Sequence, residues 1–146
     1  AGPALRADMP HAVFTGELHG EQLAQAYATF DVFCHAGEFE TFCQAIQEAH
    51  ASGVPVIAPA SGGPLDLVRP GVNGLLLDPA LYGSEVVGAF ERVLVDRDRL
   101  SAHARATVAE RSWDAICAQL FHHYAAAGAR EQPGRRRGPR AHGVAA

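Results

Sequence analysis

Apolar residues along the chain fall into short continuous runs that alternate with segments of helical periodicity. The runs are rich in β-branched and aromatic residues, which is typical of strands buried on both faces. Between them apolar residues recur every three or four positions, as Phe42, Ala45, Ile46 and Ala49 do, and this spacing predicts helices with one buried face. The pattern predicts strands at residues 12–15, 31–35, 54–58 and 75–77, and helices at residues 21–29, 41–51, 64–68, 84–94, 98–110 and 113–127.

The alternation of strands and helices determines the predicted fold class. Strands that follow one another through helices form a parallel sheet with helices on both faces, so we expect an α/β protein. Ligands of such sheets bind beyond the carboxyl ends of the strands. The loops at residues 16–20, 36–40 and 59–64 follow predicted strands and are rich in glycine or polar residues. We therefore expect a binding site among these three loops.

Composition and charge divide the chain into three parts. The 146 residues are 48% apolar and 19% charged, as in a single globular domain. Residues 1–11 are interpreted as a linker or truncated connection, residues 12–127 as the domain, and residues 128–146 as a disordered tail. The tail carries five arginines and one acidic residue, whereas residues 1–127 carry seven arginines and fifteen acidic residues. An acidic body argues against a nucleic-acid partner, while the basic tail has the charge to contact an anionic membrane.

Other features of the composition concern the compartment and cofactors. No apolar run reaches the roughly 20 residues that span a bilayer, and no signal peptide is visible. The three cysteines, Cys34, Cys43 and Cys117, lack the spacing of a disulfide framework or a zinc site. We therefore expect a cytoplasmic protein that uses no metal and no cofactor.

Two glutamates, Glu40 and Glu48, lie in the stretch richest in potential chemistry. On one continuous helix, eight steps of about 1.5 Å would place them about 12 Å apart on a similar face, which is too far for one metal ion. The separation suits an extended ligand, because a carboxylate accepts hydrogen bonds from two vicinal hydroxyls. The helix start near Phe42, Cys43 and Gln44 offers unpaired N–H groups to a diphosphate. The alternative is that both glutamates are solvated and that Glu40 only complements the helix dipole.

Cysteine and histidine side chains are weaker candidates. Cys43 near a helix N-terminus has the setting of a nucleophile, but we favour a small side chain that fills the pocket. His35 follows a strand, and packing or capping is favoured over contact with a ligand. His50, His122 and His123 have no partner at metal-ligand spacing and are predicted to lie at the surface.

An ordered set of motifs resembles family 4 of the retaining glycosyltransferases. The run Glu-Thr-Phe-Cys-Gln-Ala-Ile-Gln-Glu-Ala that begins at Glu40 is similar to the family signature of two glutamates separated by seven residues. The resemblance covers about residues 12–125, and within the family it is strongest to actinobacterial mannosyltransferases that use GDP-mannose. The flanking motifs that agree are Phe14-Thr15-Gly16, Gly62-Gly63-Pro64, Gly71-Val72-Asn73-Gly74 and Ser112-Trp113.

The resemblance implies the C-terminal, donor-binding portion of a GT-B fold, in which two Rossmann-like halves face each other. It implies transfer of a hexose to a lipid or glycan acceptor with retention of configuration, and it favours mannose from GDP-mannose as the donor. By the same resemblance, Glu40 is the catalytic residue at the donor hexose, and Glu48 binds the ribose hydroxyls. The backbone of Phe42, Cys43 and Gln44 would hold the sugar and the phosphate, and Leu18 would touch the base. Gly62 and Gly63 would either approach the donor closely or only form a turn. Trp113 would pack in the core.

The chain departs from the family pattern at its start. A Gly-Arg…Lys segment whose cations clamp the diphosphate has no counterpart here, and no lysine occurs anywhere. The N-terminal, acceptor-binding half is not represented either, so we expect a fragment that is inactive alone and whose natural partner is that half. By resemblance, the complete enzyme would lie at the inner face of the plasma membrane. Two alternatives stay open: a non-catalytic nucleotide-binding or interaction module, and a sugar-nucleotide epimerase of related architecture.

Overall fold

A computed structural model describes residues 8–109 and 111–129, which belong to two compact units. The predicted tail lies almost entirely outside the described residues, as does most of the predicted linker. The second unit contains one helix, α6, at Trp113–Ala129. The elements of the first unit are α1 (Gly20–Ala28), β1 (Phe33–Cys34), α2 (Gln44–Ala51), β2 (Val56–Pro59), α3 (Pro64–Leu67), β3 (Gly74–Leu77), α4 (Tyr82–Val95) and α5 (Arg97–Ala109).

The three strands form one parallel sheet in the order β1-β2-β3. The register places Phe33 opposite Val56, and Ile57 opposite Leu75. Every residue of the central strand β2 is buried, because helices cover both of its faces. The predicted α/β fold with a parallel sheet is therefore confirmed.

The core consists of two hydrophobic clusters that divide the side chains of β2 between them. Val56 and Ala58 belong to a cluster with Ile46 and Ala49 of α2. Ile57, which points to the opposite face, packs with Val93 of α4 and others. The clusters explain why β2 is a continuous apolar run rather than an alternating one.

One predicted strand is wrong, and so is the predicted start of one helix. Residues 12–15 are not a strand: they belong to no ladder among the described residues, and Val13 is 87% exposed while Ala12 and Phe14 are half-buried. The helix predicted from residue 41 begins at Gln44, because Cys43 adopts the left-handed conformation with φ 51° and ψ 51°. Phe42 consequently lies outside the helix and is 47% exposed instead of contributing to its buried face.

The second unit corrects one prediction and confirms another. Trp113, expected in a core, is 71% exposed at the start of α6. Its position in the first turn of a helix that buries none of its described residues explains why no core surrounds it. His122 and His123 are exposed, as predicted.

His50 was expected at the surface and is instead completely buried. It follows Ile46 by one helical turn, so it lies on the face of α2 that packs into the core. Neither ring nitrogen has a hydrogen-bond partner among the described residues that satisfies ordinary geometry. Burial lowers the pKa of His50 to about 4, and the nearby Asn73 backbone only partly offsets that effect. The core is therefore stable only with a neutral imidazole at this position.

We expect the protein to lose stability in acid through His50. The unfolded histidine takes up a proton near pH 6.5 and the folded one only near pH 4, so the unfolded state binds more protons between these values. Stability should fall by about 3 kcal/mol between pH 7 and pH 4 from this group alone. Urea unfolding at several pH values measures how the free energy of unfolding changes with pH. His50→Leu should make this change smaller, whereas His103→Leu, at an exposed site, should not. The same pH dependence in the unsubstituted protein and in both variants would contradict the role of His50.

Candidate functional site

Two loops meet where β1 and β2 end. The first, residues 36–43, follows β1, and the second, residues 60–63, follows β2. The backbone N–H of Gly63 donates to the carbonyl oxygen of Glu40 at 2.7 Å, and the Ser61 hydroxyl lies 3.4 Å from the carbonyl oxygen of Glu38. The structure thus brings together two of the three loops expected to form the site.

Gly62 and Gly63 are required by the close approach of these loops. A methyl group on Gly63 would lie 2.7 Å from Cys43 Sγ and 2.8 Å from the carbonyl oxygens of Glu40 and Thr41. One on Gly62 would lie 2.9 Å from the carbonyl oxygen of Glu40, and Gly62 also has a positive φ of 58°. The glycines therefore position the loop that carries Glu40. A direct contact between them and a donor stays a prediction.

The N-terminus of α2 has free hydrogen-bond donors. Cys43 precedes the helix, and its carbonyl oxygen accepts from the N–H groups of Ile46 at 3.0 Å and Gln47 at 3.2 Å. The N–H groups of Gln44 and Ala45 make no hydrogen bond among the described residues. Together with the positive end of the helix dipole they form an anion-binding surface. The left-handed Cys43 thus moves this surface slightly further along the chain than the sequence indicated.

Glu48 is half-buried, and the side chains of Gln44 and Tyr27 lie beside it. The Gln44 amide donates to Glu48 Oε1 at 3.2 Å. Burial, the charge of Glu48 and a hydrogen bond to its carboxylate raise the pKa of Tyr27 to about 12. Glu48 and Tyr27 line a cavity of about 250 Å³ between α1 and α2, together with Gly20, Leu23, Ala24, Ala51 and Ser52.

This cavity connects Glu48 to the third expected loop, since Gly20 is the last residue of that loop. Leu18 is half-buried but does not line the cavity, so its predicted contact with a base is not tested by the geometry. Tyr27 falls within the helix predicted at residues 21–29, and the sequence indicates no role for it beside Glu48. Its role beside Glu48 depends on how α1 packs against α2, which helical periodicity alone does not indicate.

Glu40 lies in the loop and not on the helix. The two glutamates therefore do not share one helical face as predicted, because the chain between Glu40 and Gln44 is not helical. The Glu40 side chain is exposed and makes no hydrogen bond or ion pair with the described residues. Its carboxylate is thus available to a ligand at the same end of the sheet as the α2 N-terminus.

Cys43 does not have the properties of a nucleophile. It is 1% exposed. Burial raises the pKa of the Cys43 thiol, and the charges of Glu40 and Asp66 raise it further. These effects outweigh the helix N-terminus, so the thiol stays protonated near neutral pH. The geometry favours the interpretation of Cys43 as a residue that fills space beside Gly63.

A larger cavity of about 610 Å³ lies elsewhere, against α5 and the C-terminal end of α2. Its polar lining includes Ser52, Ser101, Arg97 and Arg105, and it contains none of the predicted site residues. The Arg97 guanidinium is already paired with Asp31 and Asp98. Size alone therefore does not make this cavity the site, and we assign the site to the loops around α2.

Comparisons with known proteins show the family of the chain. The family described as "Glycosyl transferases group 1" matches residues 8–110, which includes both glutamates. The chain belongs to this family. A GDP-mannose-dependent alpha-mannosyltransferase from Corynebacterium glutamicum is 53% identical over 123 residues, which cover 83% of this chain and 30% of that protein. The chain thus spans about a third of the length of such relatives.

Solved structures of glycosyltransferases share the fold. Sucrose-phosphate synthase from Thermosynechococcus elongatus superposes with a TM-score of 0.74 at 31% identity, over 86% of this chain and 33% of that one. Anabaena HepE in complex with UDP superposes with a TM-score of 0.59 at 25% identity, over 73% of this chain and 30% of that one. The predicted GT-B relationship is confirmed by these neighbours.

The described residues contain neither a candidate metal site nor a membrane-spanning segment. No group of three or more His, Cys, Asp or Glu residues in them is arranged to hold a metal ion. None of the described helices is both long and apolar enough to cross a bilayer.

We expect Gly63→Ala to destabilise the protein and to disturb the Glu40 loop. The added methyl group would collide with two backbone carbonyls and a buried sulfur, and such overpacking costs about 1–3 kcal/mol. Gly83→Ala is the matched control, because nothing lies within 4 Å of its added methyl group and alanine favours the helix there. Thermal unfolding compares the two. A melting temperature for Gly63→Ala at or above that of Gly83→Ala would show that the loops are not in close contact.

Proposed function

We propose that this chain is the donor-binding part of a retaining glycosyltransferase that transfers mannose from GDP-mannose to a lipid or glycan acceptor. The observation that carries the proposal is that the exposed Glu40 precedes, and Glu48 follows, the free N–H groups that begin α2. Family membership supports sugar transfer over an epimerase or a non-catalytic module. The identity to a GDP-mannose-dependent relative supports the nucleotide and the sugar.

The geometry supports a different role for each of the site residues. The diphosphate would accept hydrogen bonds from Gln44 and Ala45 at the positive end of α2. Glu48, at the cavity between α1 and α2, would accept from the ribose hydroxyls, leaving that cavity for the nucleoside. Glu40, exposed on the preceding loop, would accept from hydroxyls of the hexose. Transfer with retention would proceed by attack from the face of the departing phosphate, whose charge the α2 N-terminus would stabilise.

The rest of the enzyme belongs to the proposal as well. A closed cleft that excludes water and orients an acceptor needs a second wall, which the N-terminal half would supply. Apolar residues at this end of the sheet, including Phe39 and Leu65, are exposed in the described structure and suit such a neighbour. Contact of the basic tail with an anionic membrane, at the cytoplasmic face, would bring the enzyme to a lipid acceptor.

Loss of Glu48 should weaken nucleotide binding. A hydrogen bond to a charged group contributes about 1.5–3 kcal/mol, so Glu48→Ala should lower the affinity for GDP roughly tenfold to a hundredfold, and Glu48→Gln less. Isothermal titration calorimetry on the chain joined to its N-terminal half measures this directly. Glu91→Ala, an exposed glutamate of α4, controls for the general effect of lost charge. Unchanged GDP affinity in Glu48→Ala would remove the ribose role and with it the proposed orientation of the donor.

Loss of Glu40 should affect the sugar and not the nucleotide. Because its carboxylate is exposed on the loop and not on α2, Glu40→Ala should leave GDP affinity nearly unchanged while turnover with GDP-mannose falls by about tenfold or more. The same calorimetry and a steady-state transfer assay separate the two effects. If GDP affinity falls as far as turnover does, Glu40 supports the loop rather than the hexose.

A further inference from the structure

The imidazole of His35 lies beneath the loop that carries Glu40. His35 directly follows β1, and its backbone N–H donates to the carbonyl oxygen of Ile57 at 2.8 Å, so the sheet fixes its position. Its side-chain Nε2 is buried and makes no hydrogen bond among the described residues. A buried polar atom without a partner loses its hydrogen bonds to water, so a partner at this nitrogen would stabilise the site.

Glu40 is the neighbour of complementary chemistry. A methyl group on Gly37 would lie 3.0 Å from His35 Nε2 and 3.1 Å from Glu40 Cγ. The two side chains therefore flank the same glycine. The distance between His35 Nε2 and Glu40 Cγ cannot exceed the sum of their distances to that methyl group. Rotation about the side-chain bonds of Glu40 carries its carboxylate through this space. An imidazole N–H is a donor and a carboxylate only accepts, so the pair can satisfy both groups.

We propose that His35 is a positioning residue for Glu40: its Nε2–H donates to the Glu40 carboxylate and orients it toward the donor hexose. The inference rests on the proposed function, because it concerns the carboxylate assigned to the sugar. One carboxylate oxygen is held by His35 and the other faces the ligand. Gly37 leaves room between the two side chains, since a methyl group there would lie about 3 Å from both of them.

Direct contact between His35 and the sugar is the competing arrangement. It is disfavoured because Nε2 is covered by protein atoms, whereas Glu40 is exposed and already adjacent. A purely structural His35 is the second competitor. The positioning role, direct sugar contact and a structural role predict different effects of replacing His35 in a variant that already lacks Glu40. If His35 acts only through Glu40, its replacement has no further effect on the bound sugar there.

Saturation-transfer NMR on the 146-residue chain tests the inference without requiring turnover. GDP-mannose is the probe, and its mannose and ribose protons report on the two ends of the donor separately. His35→Phe should lower saturation of the mannose protons relative to the ribose H1′ severalfold, as Glu40→Ala does. His35→Gln, whose amide can donate from nearly the same place, should restore most of the signal. In His35→Phe combined with Glu40→Ala the ratio should match Glu40→Ala alone.

The outcomes separate the inference from the proposed function. Parallel loss of mannose and ribose signals in His35→Phe would mean a structural role, and a further loss in the double variant would mean direct sugar contact; either overturns the proposal. His103→Phe, at an exposed histidine of α5, should change nothing, and circular dichroism checks that each variant is folded. If Glu48→Ala leaves the ribose signal intact, the donor site itself is misassigned, whatever His35 does.

Discussion

The site depends on one close contact between two loops. The hydrogen bond from the Gly63 N–H to the Glu40 carbonyl is 2.7 Å long and joins the loop after β2 to the loop after β1. It can form only because residues 62 and 63 have no side chains, since a methyl group at either would overlap backbone oxygens. The same approach buries Cys43 against Gly63, and Cys43 in turn determines where α2 begins. The position of every proposed donor-binding group on this loop follows from that contact.

The backbone conformation of Cys43 determines where the anion-binding surface at the start of α2 lies. Its left-handed conformation is uncommon for a residue with a side chain, so the surrounding packing must favour it over a continuous helix. Ending the loop abruptly at Cys43 leaves Glu40 outside the helix, on an exposed segment, while Glu48 stays on α2 beside Tyr27. The two glutamates are thereby supported by different structures: one by a loop held by glycines, the other by helix packing. This difference is why their loss should affect different ends of the donor.

The sequence predicted the sheet and most helices because their apolar patterns are strong. β2 was recognised because it is apolar at every position, and α2 because Ile46 and Ala49 recur at helical spacing. Residues 12–15 have the same local character as a strand, but a strand needs a neighbour, and no local pattern shows whether one exists. His50 was misplaced because a histidine on the buried face of a helix has no distinguishing signal in a single sequence. The start of α2 was missed because the left-handed Cys43 is imposed by the tertiary contact with Gly63.

Electrostatics explain why this surface would hold a diphosphate only weakly by itself. Residues 1–127 have an excess of eight acidic residues over arginines, and no arginine occurs in residues 16–20, 36–43 or 59–64. Two arginines of α5 are paired with carboxylates outside these loops, Arg97 with Asp31 and Arg99 with Asp96. Within these loops the favourable charge is the partial one at the α2 N-terminus, which contributes about 0.3–1 kcal/mol when exposed and is reduced by salt. Under the proposed function a leaving diphosphate therefore requires further cations, and the large part of the relatives' length that this chain does not span has room to supply them.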